Sequence, residues 1–347
     1  MIVDSDVLND ERVPDRELVV HRRDDLESIL EEYRLSARQD PTRNLFITGP
    51  TGVGKTMLAR LSLQLIQEQT GARTAYVDCW TDYTRSEIIY AIGKDVLETP
   101  VHRDTMSVDD VLRQLRQLPG QYRHVVLDEA DQIAETDVLR DLHTCPDIQL
   151  VLIAHTEEDL WATVPDHIRS RISAGPVLTL EKYDATQLAD VLEERANRAF
   201  GRRVIGQKLL ERIASAADGD ARVAIAALRE AGQNADGDDS ARSIEPRHIQ
   251  RAIPNAREAI HDRSVDRLND DQTVLYEIIC EKGVISPGEL YDEYRDRVDE
   301  PRVERTLRSY MRKLEHYDVV ESRGNGKAKR FQPGNVDFEA DSAVGGH

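Results

Sequence analysis

Apolar positions recur at helical spacing in Asp25–Ala37, where Leu26, Ile29, Leu30 and Tyr33 share one face. A short apolar run, "NLFITG", then enters a glycine-rich loop, and a helix is predicted beyond it through "MLARLSLQLIQEQT". Strand-like runs at Ala72–Trp80, His124–Asp131 and Ile148–Thr156 follow, separated by helical stretches such as "SEIIYAIGKDVLE". Strands alternating with helices over about 170 residues predict an α/β fold, a parallel sheet covered on both faces. After "GPVLTLEKYD" the alternation stops. Ala185–Arg263 is helical throughout, broken at Gly201, at Gly219 and in the polar stretch Ala235–Ser243.

From Asp270 the pattern predicts three helices, "DQTVLYEIICEKG", "PGELYDEYRDRV" and "PRVERTLRSYMRKLEHYD", and then a hairpin, "VVESRGNGKAKRFQ". On a 100° wheel the third helix puts Val303, Leu307, Tyr310, Met311 and Leu314 on one side. Arg305, Arg308 and Arg312 fall on the other.

Charge makes that segregation informative. The chain of 347 residues carries 65 acids against 46 bases, a net −19. Yet Arg302–Gln332 holds nine bases and four acids, a local +5. A basic helix and hairpin in so acidic a chain point to nucleic acid, although a merely solvated arginine face stands as the alternative. The bases are 38 Arg and only 8 Lys, and Asp outnumbers Glu, a texture similar to proteins of salt-loving microbes; an ordinary acidic protein is the other reading. The length suits two or three domains. No run of 18 apolar residues predicts a membrane span, and the acidic N-terminus has no apolar signal core. Cys79, Cys145 and Cys280 follow no metal-ligand spacing and are expected as reduced thiols in a cytoplasmic protein.

The strongest chemical signal is "GPTGVGKT", Gly49 to Thr56, set between a strand and a helix. Gly49, Pro50, Thr51, Gly52, Val53 and Gly54 form a loop whose backbone N–H groups can wrap phosphate oxygens at a helix N-terminus. Lys55 is expected on the β- and γ-phosphates of ATP, and Thr56 on Mg2+. "VVLDEAD" ends a buried strand with Asp128, expected to hold magnesium through its water shell, and Glu129, placed to orient or deprotonate the attacking water. A helix-capping role for the acidic pair is the alternative.

These motifs together resemble an AAA+ ATPase, and more narrowly the archaeal Orc/Cdc-type replication initiators. "VPDRELVVHRRDDLESI", "VDCWTDYTRSEIIYAI", "AHTEEDLW", "GDARVAIAALREAG" and "ERTLRSYMRKLEHYDVVE" carry the resemblance, which runs from about Val13 to Pro333. It implies base contacts from Val19, Val20 and His21, and a γ-phosphate sensor at Arg222. His155 stands where the family has asparagine, and His167 where many relatives have arginine. Arg171 is the expected finger toward a neighbouring subunit, with a surface salt bridge as the alternative. A winged helix-turn-helix is implied at the C-terminus, with DNA contacts from Arg305, Arg308, Arg312 and Lys313. Its wing would add Arg323, Lys327, Lys329 and Arg330. Tyr83 and Arg85 fall where initiators carry an extra DNA-touching helix, although an ordinary loop is equally compatible.

The expected organisation is a loosely attached N-terminus (1–16), an AAA+ core (17–176), a helical lid (177–265), a winged helix (268–333) and a tail (334–347). The implied function is ATP-dependent origin binding with slow hydrolysis as a switch. The implied partners are duplex DNA, an MCM-type helicase and other initiator subunits. A nucleotide-gated transcription regulator, or a DNA-binding paralogue with little turnover, is the alternative.

Overall fold

The structure is a computed structural model and describes residues 2–36, 43–118, 122–162, 164–201 and 204–334. Two compact units divide at Ile253/Pro254. Elements of the first unit, in chain order, are α1 (Arg23–Ser36), β1 (Leu45–Thr48), α2 (Lys55–Thr70), β2 (Arg73–Asp78), α3 (Arg85–Val96), α4 (Val108–Gln117), β3 (Arg123–Asp128), α5 (Asp137–His143), β4 (Ile148–Ala154), α6 (Glu157–Ala162), α7 (Asp166–Ile172) and β5 (Val177–Thr179). Three more helices follow, α8 (Ala185–Ala199), α9 (Gln207–Ala216) and α10 (Ala221–Asp236), before α11 (Pro246–Asp266).

The sheet order is β2-β3-β4-β1-β5, all parallel. β1, β3 and β4 are buried at every position because both faces are covered. Phe46, Val125, Leu127, Leu150 and Leu152 enter one core cluster with residues of α3, α4 and α5. Their neighbours in sequence, Leu45, Ile47, Val126, Val151 and Ile153, enter the other with α1 and α2. Period-two alternation thus splits each strand between two cores. β5 is the element that hydrophobic patterning did not mark as a strand. Three residues long and on the sheet edge, it leaves Val177 exposed.

The N-terminus corrects the expectation of a loose 1–16 segment. Leu8 is fully buried, the Val3 N–H donates to the Ala199 carbonyl at 2.7 Å, and Arg195 donates to the Val7 carbonyl. Arg198 of α8 pairs with Asp15 and Glu17. The segment is a strap on α8, and its partners lie about 190 residues away in the chain, beyond the reach of local pattern.

The unit division also falls earlier than the expected 265/268 boundary. It lies inside α11, at a helix-internal proline, Pro254. The second unit continues with α12 (Asp270–Lys282), α13 (Pro287–Arg297), α14 (Glu304–His316), β6 (Val320–Arg323) and β7 (Arg330–Pro333). Capping boxes at Asn269/Gln272 and Ser286/Glu289 open α12 and α13. β6 and β7 pair antiparallel with Arg323 opposite Arg330, and Ile285 bridges to Phe331. Beyond Gly334, the tail lies outside the described residues.

Candidate nucleotide site and basic surface

Gly49 to Gly54 leave β1 and deliver Lys55 as the first residue of α2. Two of the glycines are sterically required. A Cβ on Gly49 (φ +146°) would lie 2.4 Å from the Leu180 carbonyl oxygen, and one on Gly52 (φ +74°) would lie 2.1 Å from the Asp220 carboxylate. Val53 is fully buried and moors the loop. The loop is therefore bare backbone at a helix N-terminus, suited to an anionic phosphate. Lys55 Nζ donates to the carbonyls of Gly49 and Pro50 at 2.6 and 2.8 Å. Burial pulls its ammonium below the usual lysine value, opposed by the carboxylates of Glu129 and Asp128.

Asp128 ends β3, and its Oδ2 accepts from the Thr56 hydroxyl at 2.6 Å and the Tyr76 hydroxyl at 2.7 Å. Its Oδ1 accepts the Glu129 N–H at 3.0 Å. Burial pushes the Asp128 carboxyl above the usual carboxylate range, and the two hydroxyl donors oppose that shift. One hydroxyl and one carboxylate beside a phosphate cradle make a hard-oxygen donor set. It fits magnesium, which takes few protein ligands and keeps several waters. Glu129 is held at φ +56°, a left-handed backbone uncommon for a residue with a side chain and concentrated at functional sites.

His155 follows β4 and accepts the Gly49 N–H on its carbonyl at 2.9 Å. Burial first, and then the Lys55 charge, push its imidazole below the usual histidine value. It is therefore a neutral hydrogen-bonding group at pH 7, as an asparagine side chain would be.

From the other side, α10 brings Arg222. Its guanidinium pairs with Asp220 at 2.7 Å, and the Ala221 N–H donates to the Gly52 carbonyl at 3.0 Å. Val20 and His21 line a pocket of about 580 Å³ with Arg23, Asp24 and Asp190, where His21 Nε2 meets Asp190 Oδ2 at 2.7 Å. Val19 is 2% exposed, inside the core cluster and not on that pocket's lining. Arg171 stands exposed on α7 beside His143.

Sequence reasoning passed over Tyr76, Asp220, Tyr183 and Arg22. Arg22 stacks over the Tyr183 ring at 4.4 Å, and the Tyr183 hydroxyl approaches Gly54. Asp220 had a readable signal, a helix-capping residue two places before Arg222 in "GDAR".

In the second unit, Arg305, Arg308 and Arg312 are all exposed, on the side of α14 opposite buried Leu307, Met311 and Leu314. Arg308 pairs with Glu304 at 2.5 Å across one helical turn. The three arginines line a groove of about 680 Å³ with Tyr291, Lys329 and Phe331. Arg323 and Arg330 are exposed on the hairpin, and Lys327 falls in the 3-10 turn Gly326–Ala328 at its tip.

Several expectations need correction here. Lys313, one place and about 100° past Arg312, is 4% exposed and packs inward. Lys329 stays on that groove, where it pairs with Glu315 at 2.9 Å and lies over the Phe331 ring. Val303 is no core residue; it is the N-cap of α14 and 69% exposed. In the first unit Arg85 is partly exposed and pairs with Asp141 at 2.7 Å and Asp109 at 3.5 Å. Tyr83 is half-buried and its carbonyl accepts the Ala134 N–H.

An AAA domain matches residues 38–161, and a Cdc6 AAA+ ATPase-type lid domain matches residues 189–254. Over 333 residues the chain is 34% identical to ORC1-type DNA replication protein 9 of Halobacterium salinarum, covering 95% of this chain and 93% of that one. The chain belongs to the Orc1/Cdc6-type family of archaeal replication initiators.

A second member from the same organism, ORC1-type DNA replication protein 1, is 36% identical over 317 residues, covering 89% of this chain and all of the other. Among solved structures, the Aeropyrum pernix ORC1 protein in complex with DNA superposes with a TM-score of 0.71 at 25% identity, covering 95% and 92% of the two chains. Both Halobacterium relatives come from a halophile, consistent with the acidic, arginine-rich composition. As an Orc1/Cdc6-type chain it carries an ATP-binding AAA+ core. Among the described residues no helix is long and apolar enough to cross a membrane.

Proposed function

We propose that this Orc1/Cdc6-type chain uses ATP binding to control its grip on origin duplex DNA and helps recruit or load an MCM-type helicase. The observation that carries the reading is the pairing, in one chain, of a phosphate cradle met by a lid arginine with a separate arginine-faced helix and hairpin. The A. pernix ORC1 protein, solved in complex with DNA, supports the second half.

On this reading the Gly49–Gly54 backbone binds the phosphates. Lys55 exchanges the Gly49 and Pro50 carbonyls for phosphate oxygens, a stronger charge-assisted contact. Thr56 and Asp128 would hold magnesium, which would supply positive charge against the phosphates. Glu129 orients water for slow hydrolysis, His155 contributes a neutral hydrogen bond, and Arg222 leaves Asp220 for the γ-phosphate. Val20 and His21 face the base, and Arg171 is delivered to a neighbouring subunit's nucleotide. In the second unit, a winged helix, α14 enters the major groove with Arg305, Arg308 and Arg312 toward base edges. Arg323, Lys327 and Arg330 follow phosphates.

A genome-wide map of bound sites tests the proposal. Occupancy concentrated at replication origins is expected; occupancy at promoters of regulated genes would replace it with the transcription-regulator reading.

A further inference from the structure

Tyr76 lies on β2, in register with Val126 and two residues short of the Asp78–Asp128 pair. Its hydroxyl donates to Asp128 Oδ2 at 2.7 Å, the same oxygen that the Thr56 hydroxyl reaches at 2.6 Å. The ring is fixed by the Arg60 guanidinium of α2, 4.1 Å from its centroid, and packs against the core cluster on that face of the sheet. Phenylalanine would serve that packing equally well. Only the hydroxyl speaks to Asp128.

Asp128 is 3% exposed and takes donors on both oxygens, so its carboxylate plane is fixed before any ion arrives. Of the two donors to Oδ2, Thr56 is the one expected on the metal, and its hydroxyl must then turn its lone pair to the ion. Tyr76 is outside that exchange and can keep the carboxylate from rotating while it occurs. Carboxylates that ligate metals are held by such outer hydrogen bonds, and losing one typically weakens metal affinity by about 10- to 100-fold.

We propose that Tyr76 is a positioning residue for the magnesium site, holding the Asp128 carboxylate in its ion-binding orientation through the phenol hydroxyl. The proposal rests on reading Thr56 and Asp128 as the metal-holding pair.

The test is Tyr76→Phe in the full-length chain. Manganese, a spectroscopic stand-in for magnesium, is titrated by electron paramagnetic resonance in the presence of ADP, and ADP affinity is measured separately with the metal chelated. The expected result is manganese affinity about 10-fold weaker, with metal-free ADP affinity and the melting temperature unchanged. Unchanged manganese affinity overturns the proposal. A parallel loss of metal-free ADP affinity also overturns it, because the hydroxyl would then support the fold of the site and not the ion. Asp128→Asn separates the premise from the inference. If that variant binds manganese as well as the wild type, the metal-pair reading fails and takes the proposal with it. If Asp128→Asn loses the ion while Tyr76→Phe keeps it, Tyr76 alone is misassigned.

Discussion

The Arg222 guanidinium is held 2.7 Å from the Asp220 carboxylate, two residues earlier in the same helix-opening turn. That carboxylate also accepts the N–H groups of Arg222 and Val223, capping α10, and it lies over the α-carbon of Gly52. One acidic group thus restrains Arg222 and places negative charge beside the Gly52 backbone. Its own pKa is held low by Arg222 and the capping N–H groups, against the upward pull of burial.

Asp220→Asn keeps a capping side chain and removes the charge. We expect ATP to bind about tenfold more tightly, a gain of about 1.4 kcal/mol from relieved repulsion and a released Arg222. Asp220→Ala loses the cap as well, and its stability should fall by about 1 kcal/mol relative to the Asn variant. Calorimetric titration and thermal melting of the two variants check both numbers. Equal ATP affinity in wild type and Asp220→Asn would show that the carboxylate does not oppose phosphate.

Lys55 carries the opposite charge in the same cradle, and its two carbonyl partners are available to exchange for phosphate oxygens. Lys55→Ala should weaken ATP binding by about 100-fold, the scale of one hydrogen bond to a charged group. Fluorescence titration with a labelled nucleotide measures it, and retained tight binding would remove the lysine from the site.

On the second unit, the Arg308–Glu304 pair is exposed and one turn long, worth only about 0.3–0.5 kcal/mol, so DNA can displace it. Arg308→Ala with Arg312→Ala should cost about 1–3 kcal/mol for each base edge no longer read, and relax sequence preference. Arg323→Ala with Arg330→Ala should instead lower affinity across all sequences and flatten the log–log salt slope by about 0.9 per phosphate released. Lys313→Ala should leave that slope unchanged, since its side chain is buried. Gel shifts over a salt series separate the three outcomes.

What the sequence made legible was local chemistry. The phosphate loop announces itself because glycine, lysine and threonine must be contiguous to do their work, and Asp128 because it closes the apolar run Val125–Leu127. The arginine row of α14 followed from helical period alone. Lys313 lies about 100° from Arg312 but only about 80° from Arg305 on the same wheel, so the period alone does not reveal its burial. Pairings across the fold were not readable. Tyr76 meets Asp128 only through the register of β2 on β3, and Arg85 meets Asp141 across 56 positions. Leu8 finds its burial on a helix near the other end of the unit. Such pairings depend on topology, which no short window of sequence encodes.

Buried histidine at the base of the sheet sets an acid limit on stability. His124 on β3 is 2% exposed, shares a 2.8 Å hydrogen bond with Gln149 and stacks on Tyr33 at 4.4 Å. Burial pushes its imidazole down from 6.5 to about 4, with the Gln149 contact opposing. An unfolded chain takes up the proton as pH falls through about 6.5, whereas the folded chain resists until about 4. Between those values the unfolded state binds more protons, so stability falls as pH falls and the contribution levels off below about 4. The full span amounts to about 3 kcal/mol. His124→Gln should be less stable than wild type near pH 7, and that difference should shrink by about 3 kcal/mol toward pH 4. Urea unfolding at a series of pH values measures it, and a difference constant with pH would mean that His124 does not titrate on unfolding.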